Sequence, residues 1–487
     1  MLLHNSAIML DPDSCYQAVK SHDARFDGRF FTGVTSTRIY CRPLCTARVP
    51  KRENCRFFPS AAAAEGAGFR PCLRCRPELA PGNASVDATQ RLAQSAASLM
   101  EDGIDGVATG NGLTHVAAQL GVSDRHLRRV FEAEFGVAPI AFAQTQRLLL
   151  AKRLLSDTVM PVTAIAFASG FQSLRRFNAL FKQRYRLAPG DLRKAAPRRA
   201  KQDTFSFELA YRPPFDWLHL TGFLATRSIA LVEQVEKNIY RRTLRIVNNS
   251  EHHTGWIEVR CHKTKAVLTV HVAVSLAKVL PQVLARVKRV FDLSCQPTEI
   301  VAALGAWAQP HAGLRLPGAF DGFELAVRAV LGQQITVRAA TTLAGRFAGA
   351  LGEAVASPYP ALQRVFPSAQ TVAACSIDDI AKLGIIATRA RTIRALAQGV
   401  ASGALTLTPS ANVEETLAAL KRIPGIGDWT AQYIAMRALA WPDAFPHTDY
   451  GVMKAMNETN PKRVLLNAEA WRPWRAYAVM HLWHSLE

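Results

Sequence analysis

Leu420-Lys-Arg-Ile-Pro-Gly-Ile-Gly-Asp-Trp-Thr-Ala431 reads as the end of one helix, a tight hairpin at Pro424-Gly425-Ile426-Gly427, and the start of a second helix. Glycines at 425 and 427 let backbone N–H groups come close to a phosphate, and the following helix points its positive N-terminus at the same place. Twenty-two residues beyond Gly427, the segment Phe445-Pro-His-Thr-Asp-Tyr450 sets Asp449 in a proline-containing loop. Around this core the apolar spacing is 3.6-like from about Phe291 to the C-terminus, which predicts an all-helical domain over residues 291–487.

The composition fits a phosphate-bearing partner. The chain has 487 residues, enough for three or four domains, and 59 basic against 38 acidic residues give +21 at neutral pH. Residues 1–200 and 201–487 each carry a basic surplus, so both portions can touch one polyanion, and nucleic acid is the first candidate. No apolar run approaches the ~20 residues a membrane span needs, so no membrane partner is expected. The first residues lack a basic segment followed by a long apolar stretch, which predicts a cytoplasmic protein with reduced thiols. Six of the nine cysteines lie between Cys15 and Cys75, and in that compartment they call for metal or chemistry rather than disulfides.

Upstream of the helical domain the text divides into modules. Residues 1–80 are rich in Cys, Arg and aromatics; residues 81–112 read as a linker with one short helix. Residues 113–195 are helical and duplicated, because Phe131-x3-Phe135-x2-Ala138-Pro139 recurs as Phe181-x3-Tyr185-x2-Ala188-Pro189. A basic linker over 196–203 follows. Residues 204–290 alternate apolar and polar (Phe205, Phe207, Leu209, Tyr211), which predicts a small α/β subdomain.

Cys41-Arg-Pro-Leu-Cys45 and Cys72-Leu-Arg-Cys75 are two short chelating pairs separated by 26 residues. Four thiolates in two pairs suit tetrahedral zinc, and spacing alone leaves open a metal that merely staples the domain. Together with Phe26-Asp-Gly-Arg-Phe-Phe-Thr-Gly-Val-Thr-Ser-Thr-Arg-Ile-Tyr-Cys-Arg-Pro43 and Gly68-Phe-Arg-Pro-Cys-Leu-Arg-Cys75, the box resembles the N-terminal domain of Ada-type alkylation-response proteins. That resemblance implies that Cys41 both ligates zinc and accepts a methyl group from a DNA phosphotriester, with Cys45, Cys72 and Cys75 as the other ligands. It further implies DNA contacts from Arg42 and Arg48. Loss of one negative charge on S-methylation would strengthen binding to the backbone. Cys15 and Cys55 are read as packed thiols.

Ala117-x3-Gly121 followed by Ser123-Asp-Arg-His-Leu-Arg-Arg-Val-Phe131 reads as helix, turn, helix, and Ile165-Ala-Phe-Ala-Ser-Gly-Phe-Gln-Ser-Leu-Arg-Arg-Phe177 repeats it. Two such motifs joined by a helix over 146–155 resemble the AraC-type DNA-binding domain. Each second helix is expected in the major groove, with Arg125, His126, Arg128, Arg175 and Arg176 contacting DNA.

The hairpin plus Asp449 resembles the helix-hairpin-helix base-excision glycosylases. Pro214-Phe-Asp-Trp-Leu218, Gly222-Phe-Leu-Ala-Thr-Arg227, Ala326-Val-Arg-Ala-Val-Leu-Gly-Gln-Gln334 and Trp471-Arg-Pro-Trp-Arg-Ala-Tyr-Ala478 narrow the resemblance to 3-methyladenine DNA glycosylase II. It implies Asp449 as the catalytic carboxylate and Phe223, Trp429, Tyr433 and Trp483 as walls of the base pocket. Gly425 and Gly427 would hold a DNA phosphate, and Gln334 or Ile335 would fill the gap left by a flipped base. Bifunctional members carry a lysine nucleophile where Trp429 stands, so a monofunctional enzyme is expected. His447 and Thr448 depart from an acidic residue expected before the aspartate; His481 and His484 are read as structural.

The fold expected is multidomain and mainly α. A small four-cysteine zinc α/β domain leads to an all-α paired helix-turn-helix domain, then a small α/β subdomain and an all-α helix-hairpin-helix domain. Zinc is the cofactor, alkylated and promoter DNA are the partners, and an activator role implies contact with RNA polymerase. A rival reading is a methylation-activated transcription factor whose glycosylase fold is inactive. No Pro-Cys-His-Arg segment occurs, so no O6-methylguanine transferase domain is expected.

Overall fold

The computed structural model describes residues 11–81, 88–101, 111–195, 204–248 and 251–487. Asp11 caps the first helix, Pro12–Lys20, by accepting from the backbone of Asp13 and Ser14, and Pro12 occupies the turn where no N–H is needed. The sheet beside it runs Cys55–Phe58, Phe31–Val34, Ile39–Cys41, Arg70–Pro71, the last pair parallel and the others antiparallel. Its aromatics, Phe31, Tyr40, Phe58 and Phe69, close a core with Ala61 and Ala64. A Cβ on Gly33 would strike the rings of Phe58 and Phe69, at 2.7 and 2.9 Å, so this strand position must be bare.

Residues 81–112 are more than a linker. Their described part is the 14-residue helix Ala88–Glu101, whose Ala93, Ala96, Ala97 and Met100 pack on Leu113, Val116, Leu127 and Phe131. The short helix expected there is thus a core element: small residues at helical spacing bury one face without looking hydrophobic in composition. The paired motifs follow: Asn111–Gln119 and Asp124–Phe135, then Val162–Ala168 and Leu174–Tyr185. Gly121 and Gly170 make the turns at φ 67° and 78°, where a side chain would be strained. Ser123 and Ser173 cap the two second helices. The connecting helix is longer than expected, Pro139–Asp157.

That connecting helix is the hub of the molecule. On one side it meets the four-cysteine domain through the buried pair Lys152–Glu78 at 2.7 Å and through Arg76–Asp157 at 2.6 Å. On the other, Arg153 donates to the Glu208 carbonyl at 2.5 Å and lies 4.8 Å over the Phe207 ring.

Phe207 belongs to a five-stranded antiparallel sheet ordered Thr204–Ala210, Val267–Ala273, Glu251–Cys261, Ile239–Asn248, Glu233–Glu236. Beyond the sheet the chain is mainly helical. Its buried residues fall in two clusters, the larger of which also takes in the sheet and the helices from Leu148 to Leu192. A buried network ties sheet to helices: Arg242 reaches Glu324 at 2.7 Å and Glu233 at 3.4 Å, and Arg328 reaches Glu233 at 3.0 Å. Arg328 also donates to the Arg227 carbonyl, which anchors the loop at the mouth of the site described next. Among the described residues no helix is long and apolar enough to cross a membrane.

Candidate active site and metal centre

Asp449 is the N-cap of the helix Tyr450–Ala455, with its Oδ1 accepting from the Val452 amide at 3.0 Å. Two indoles complete its shell: Trp483 Nε1 donates to Oδ1 at 2.9 Å and Trp429 Nε1 to Oδ2 at 2.8 Å. An ionised carboxylate has about four acceptor positions, so the three donors among the described residues leave one open, on Oδ2. Gly451 makes room for this arrangement, because a Cβ there would stand 3.1 Å from both Asp449 Oδ1 and the Trp483 ring. The loop is held from behind, where the Phe445 amide donates to Gln432 and the Asp449 amide to Pro446.

Three of the four expected pocket aromatics meet here. Trp429 and Tyr433 stack at 5.4 Å and 10°, as their i, i+4 spacing on the helix Asp428–Arg437 requires, and Trp483 faces Tyr433 at 6.4 Å. With Asp449, Arg227, Arg328 and Ile335 they line a cavity of about 320 Å³. Both indole N–H groups are spent on Asp449, so the tryptophans offer a guest their π faces. Phe223 is placed differently from expectation. It lies parallel to Trp483 at 6.5 Å, but the Arg227 guanidinium covers its ring at 3.7 Å and Arg437 approaches at 5.1 Å. Phe223 therefore backs the pocket, and the face offered to the cavity is Arg227. Sequence reading missed Arg227; its place one turn after Phe223 was the only signal.

Tyr433 sits among these guanidinium groups and accepts from Arg437 Nη1 at 2.7 Å. Burial pushes its phenol up, but Arg437, Arg227 and Arg328 outweigh that and hold it below the ordinary value.

The cavity opens into a groove of about 1050 Å³ that shares Gly332, Ile335, Trp429 and Asp449 with it and runs past Pro424, Gly425 and Gly427. Gly425 has φ 92° and its bare α-carbon lies against Thr392, whose hydroxyl donates to the Pro424 carbonyl at 2.7 Å. Gln333, another residue the sequence did not flag, latches the hairpin by donating to the Gly425 carbonyl and to Thr430, both at 2.9 Å. Gln334 stands exposed on the groove rim in left-handed backbone, φ 54°, and Ile335 reaches both spaces.

The four cysteines of the box come together as the parallel pairing of Ile39–Cys41 with Arg70–Pro71 dictates, since Cys41 and Cys72 leave adjacent strands at one end. Their sulfurs lie within 4.8 Å of one another, while a tetrahedral ion with ~2.3 Å bonds wants edges of ~3.8 Å, so the donor set and spacing fit zinc. Cys45 and Cys72 are buried; Cys41 and Cys75 are half-exposed. Arg42 is not a surface group. Its guanidinium is buried in an ion pair with Asp27 and donates to the Cys75 carbonyl at 3.2 Å, while its amide donates to Cys75 Sγ at 3.4 Å. It braces the cluster and is spent before any DNA arrives. Arg48 is exposed, as are Arg125, Arg128, Arg175 and Arg176 on the two capped helices, while His126 is partly covered and meets Arg129 at 3.1 Å. Cys15 and Cys55 are buried away from the cluster.

Four protein families match successive stretches of the chain: the metal binding domain of Ada over residues 14–78, a helix-turn-helix domain over 116–195, the AlkA N-terminal domain over 206–321, and the HhH-GPD superfamily base excision DNA repair proteins over 327–473. The probable bifunctional transcriptional activator/DNA repair enzyme AlkA of Mycobacterium tuberculosis is 38% identical over 494 residues, covering 98% of this chain and 97% of its own. DNA-3-methyladenine glycosylase 2 of Escherichia coli is 35% identical over 279 residues, 57% of this chain and 97% of its own. The bifunctional transcriptional activator/DNA repair enzyme Ada of Escherichia coli is 38% identical over 159 residues, 33% of this chain and 43% of its own. With a zinc-type cysteine cluster, paired helix-turn-helix motifs and a helix-hairpin-helix carboxylate site in that order, this chain belongs to the family of AlkA-type bifunctional transcriptional activators and DNA repair enzymes.

Proposed function

We propose that the chain repairs alkylated DNA, its C-terminal half acting as a monofunctional glycosylase on bases such as 3-methyladenine and its N-terminal half as a methylphosphotriester acceptor that controls sequence-specific binding. The observation that carries the glycosylase reading is Asp449, held by two indole N–H groups at the floor of an aromatic cavity that opens onto the hairpin groove. The hairpin amides and exposed helix terminus hold the strand. The damaged nucleotide turns out of the stack at a cost of a few kcal/mol, with Gln334 or Ile335 filling its place. Its base lies against the faces of Trp429, Tyr433 and Trp483. The N-glycosidic bond then breaks with its electron pair going to the base, which an alkylated cationic purine accepts readily, and positive charge develops on the sugar. The open acceptor position on Asp449 Oδ2 faces that charge and orients the attacking water. Trp429 stands where an amine would be needed to form a Schiff base, so the product is an intact abasic strand. Incubation with alkylated duplex should release free base and leave a strand that breaks only in alkali. Borohydride trapping of enzyme on DNA, or strand cleavage without alkali, would overturn the monofunctional assignment.

In the N-terminal domain a bound zinc ion supplies the charge that keeps the thiols deprotonated at neutral pH. Cys41 and Cys75 are the partly exposed residues of the four, and Cys75 Sγ already accepts the Arg42 amide, which leaves Cys41 the better nucleophile of the two. The methyl carbon passes from a phosphotriester oxygen to Cys41 Sγ, giving a thioether and restoring the phosphodiester anion. Arg125, Arg128, Arg175 and Arg176 contact promoter DNA, and the activator recruits RNA polymerase.

A further inference from the structure

On the helices that carry Phe223 and Trp483, and just past the end of the second, three chemistry-bearing side chains converge. His219 Nδ1 lies 3.4 Å from Glu487 Oε2, and His484 Nδ1 lies 3.3 Å from the same oxygen. All three ligand atoms fall within 4.8 Å of one another, and the two imidazole rings meet edge to face at 4.7 Å. We propose that His219, His484 and Glu487 form a second metal site, for a borderline divalent cation such as Zn²⁺.

The donor set and the distances support it. Two imidazole nitrogens and a carboxylate are the ligands of an open zinc site, and bonds of ~2.0–2.1 Å place tetrahedral ligands ~3.3 Å apart, close to both Nδ1···Oε2 separations. Among the described residues the buried His219 Nε2 has no hydrogen-bond partner, so the polar neighbours of this imidazole lie at its Nδ1. Exposure rises across the site, from 9% for the His219 side chain to 24% for His484 and 59% for Glu487, which gives an ion an entry path and leaves solvent a fourth ligand position. The ring of His311 lies edge-on 4.4 Å from that of His484 and packs beside the site. Sequence alone reads His484 as structural, since His219 lies far from it in the chain and Glu487 beyond the helix end.

The location has a consequence that rests on the glycosylase reading. His219 is one turn before Phe223 on the helix Trp217–Thr226, and His484 directly follows Trp483 on the helix Arg475–His484. An ion held by both ties together the two helices whose Phe223 and Trp483 rings lie parallel, at 6.5 Å and 15°, at the back of the pocket. It would fix the width there.

Metal stoichiometry tests the site without reference to excision. Full-length protein with its cysteine site filled by zinc is titrated with Co²⁺. The expected result is one further equivalent, with the d–d absorption of a nitrogen- and oxygen-ligated ion and no thiolate charge-transfer band. His219→Ala and His484→Ala should abolish that equivalent and keep the cysteine-bound zinc, which reports an intact N-terminal domain, while an unchanged melting profile reports folding of the rest. Glu487→Gln, at an exposed position, should weaken it at least about tenfold and keeps the test decisive if a histidine variant misfolds. A wild-type protein that takes up no second equivalent, or a Glu487→Gln variant that binds it unchanged, overturns the proposal. A second equivalent bound by a protein that releases no base would leave the site standing and remove only its link to the pocket.

Discussion

Replacing Asp449 with asparagine is expected to do two separable things. The charge opposing the sugar cation disappears, and such a term is worth ~3–4 kcal/mol, or ~10²–10³ in rate. The hydrogen bonding changes as well, because both carboxylate oxygens are acceptors in the native site. The amide oxygen keeps two donors only if it takes the Oδ1 position toward Trp483 and Val452, which turns its NH₂ group against the Trp429 indole N–H. One half-buried donor then lacks a protein acceptor, at a cost of ~1 kcal/mol, although asparagine still caps the helix well. The single variant should therefore excise 3-methyladenine ~10²–10³-fold more slowly in single-turnover assays and also melt earlier. Adding Trp429→Phe removes the stranded donor and should restore part of the stability lost by Asp449→Asn while excision stays at the low level. Wild-type excision by Asp449→Asn would refute the choice of catalytic residue. Unchanged melting of the single variant, or no recovery in the double, would refute the two-indole clamp.

Cys72→Ala removes a buried ligand of the cysteine cluster, so zinc per chain should drop by about one equivalent and the N-terminal domain should lose its protection from protease; full retention of zinc would contradict the assignment. Gly425→Ala forces a side chain into left-handed backbone against Thr392, and should weaken duplex binding while sparing most of the excision rate at saturating DNA, read as a rise in KM larger than the fall in kcat. Glu65 carries a pH signature. It is buried between Tyr40 and Thr145, which donate to it at 3.1 and 3.0 Å, and burial pushes its carboxyl up from 4.5 to about 7. Between those values the folded protein keeps a proton that the unfolded chain has released, so the stability Glu65 contributes is full below about 4.5 and lost as pH rises through about 7. Glu65→Gln should melt later than wild type at pH ~8 and close to it at pH ~5; the same difference at both would count against a buried, protonating carboxyl.

Much of the site was legible in the sequence where its logic is local. The two cysteine pairs are chelating because three or four residues make one turn, Trp429 and Tyr433 share a helix face because they are four apart, and the duplicated Phe/Tyr-Ala-Pro pattern repeats one helical unit. The hairpin, its helix and the aspartate loop are each set by glycine and proline within a few residues. Tertiary packing alone decided the rest. That Arg42 is consumed by Asp27, that Arg227 covers Phe223, that the 81–112 stretch supplies a core helix, and that both indoles turn their N–H groups onto one carboxylate are outcomes of contacts that residue pattern does not encode. His219 and His484 meet across 265 positions of chain for the same reason. Spacing along a strand or helix specifies which face a side chain occupies, but which two faces meet is set by how the whole chain buries its apolar surface.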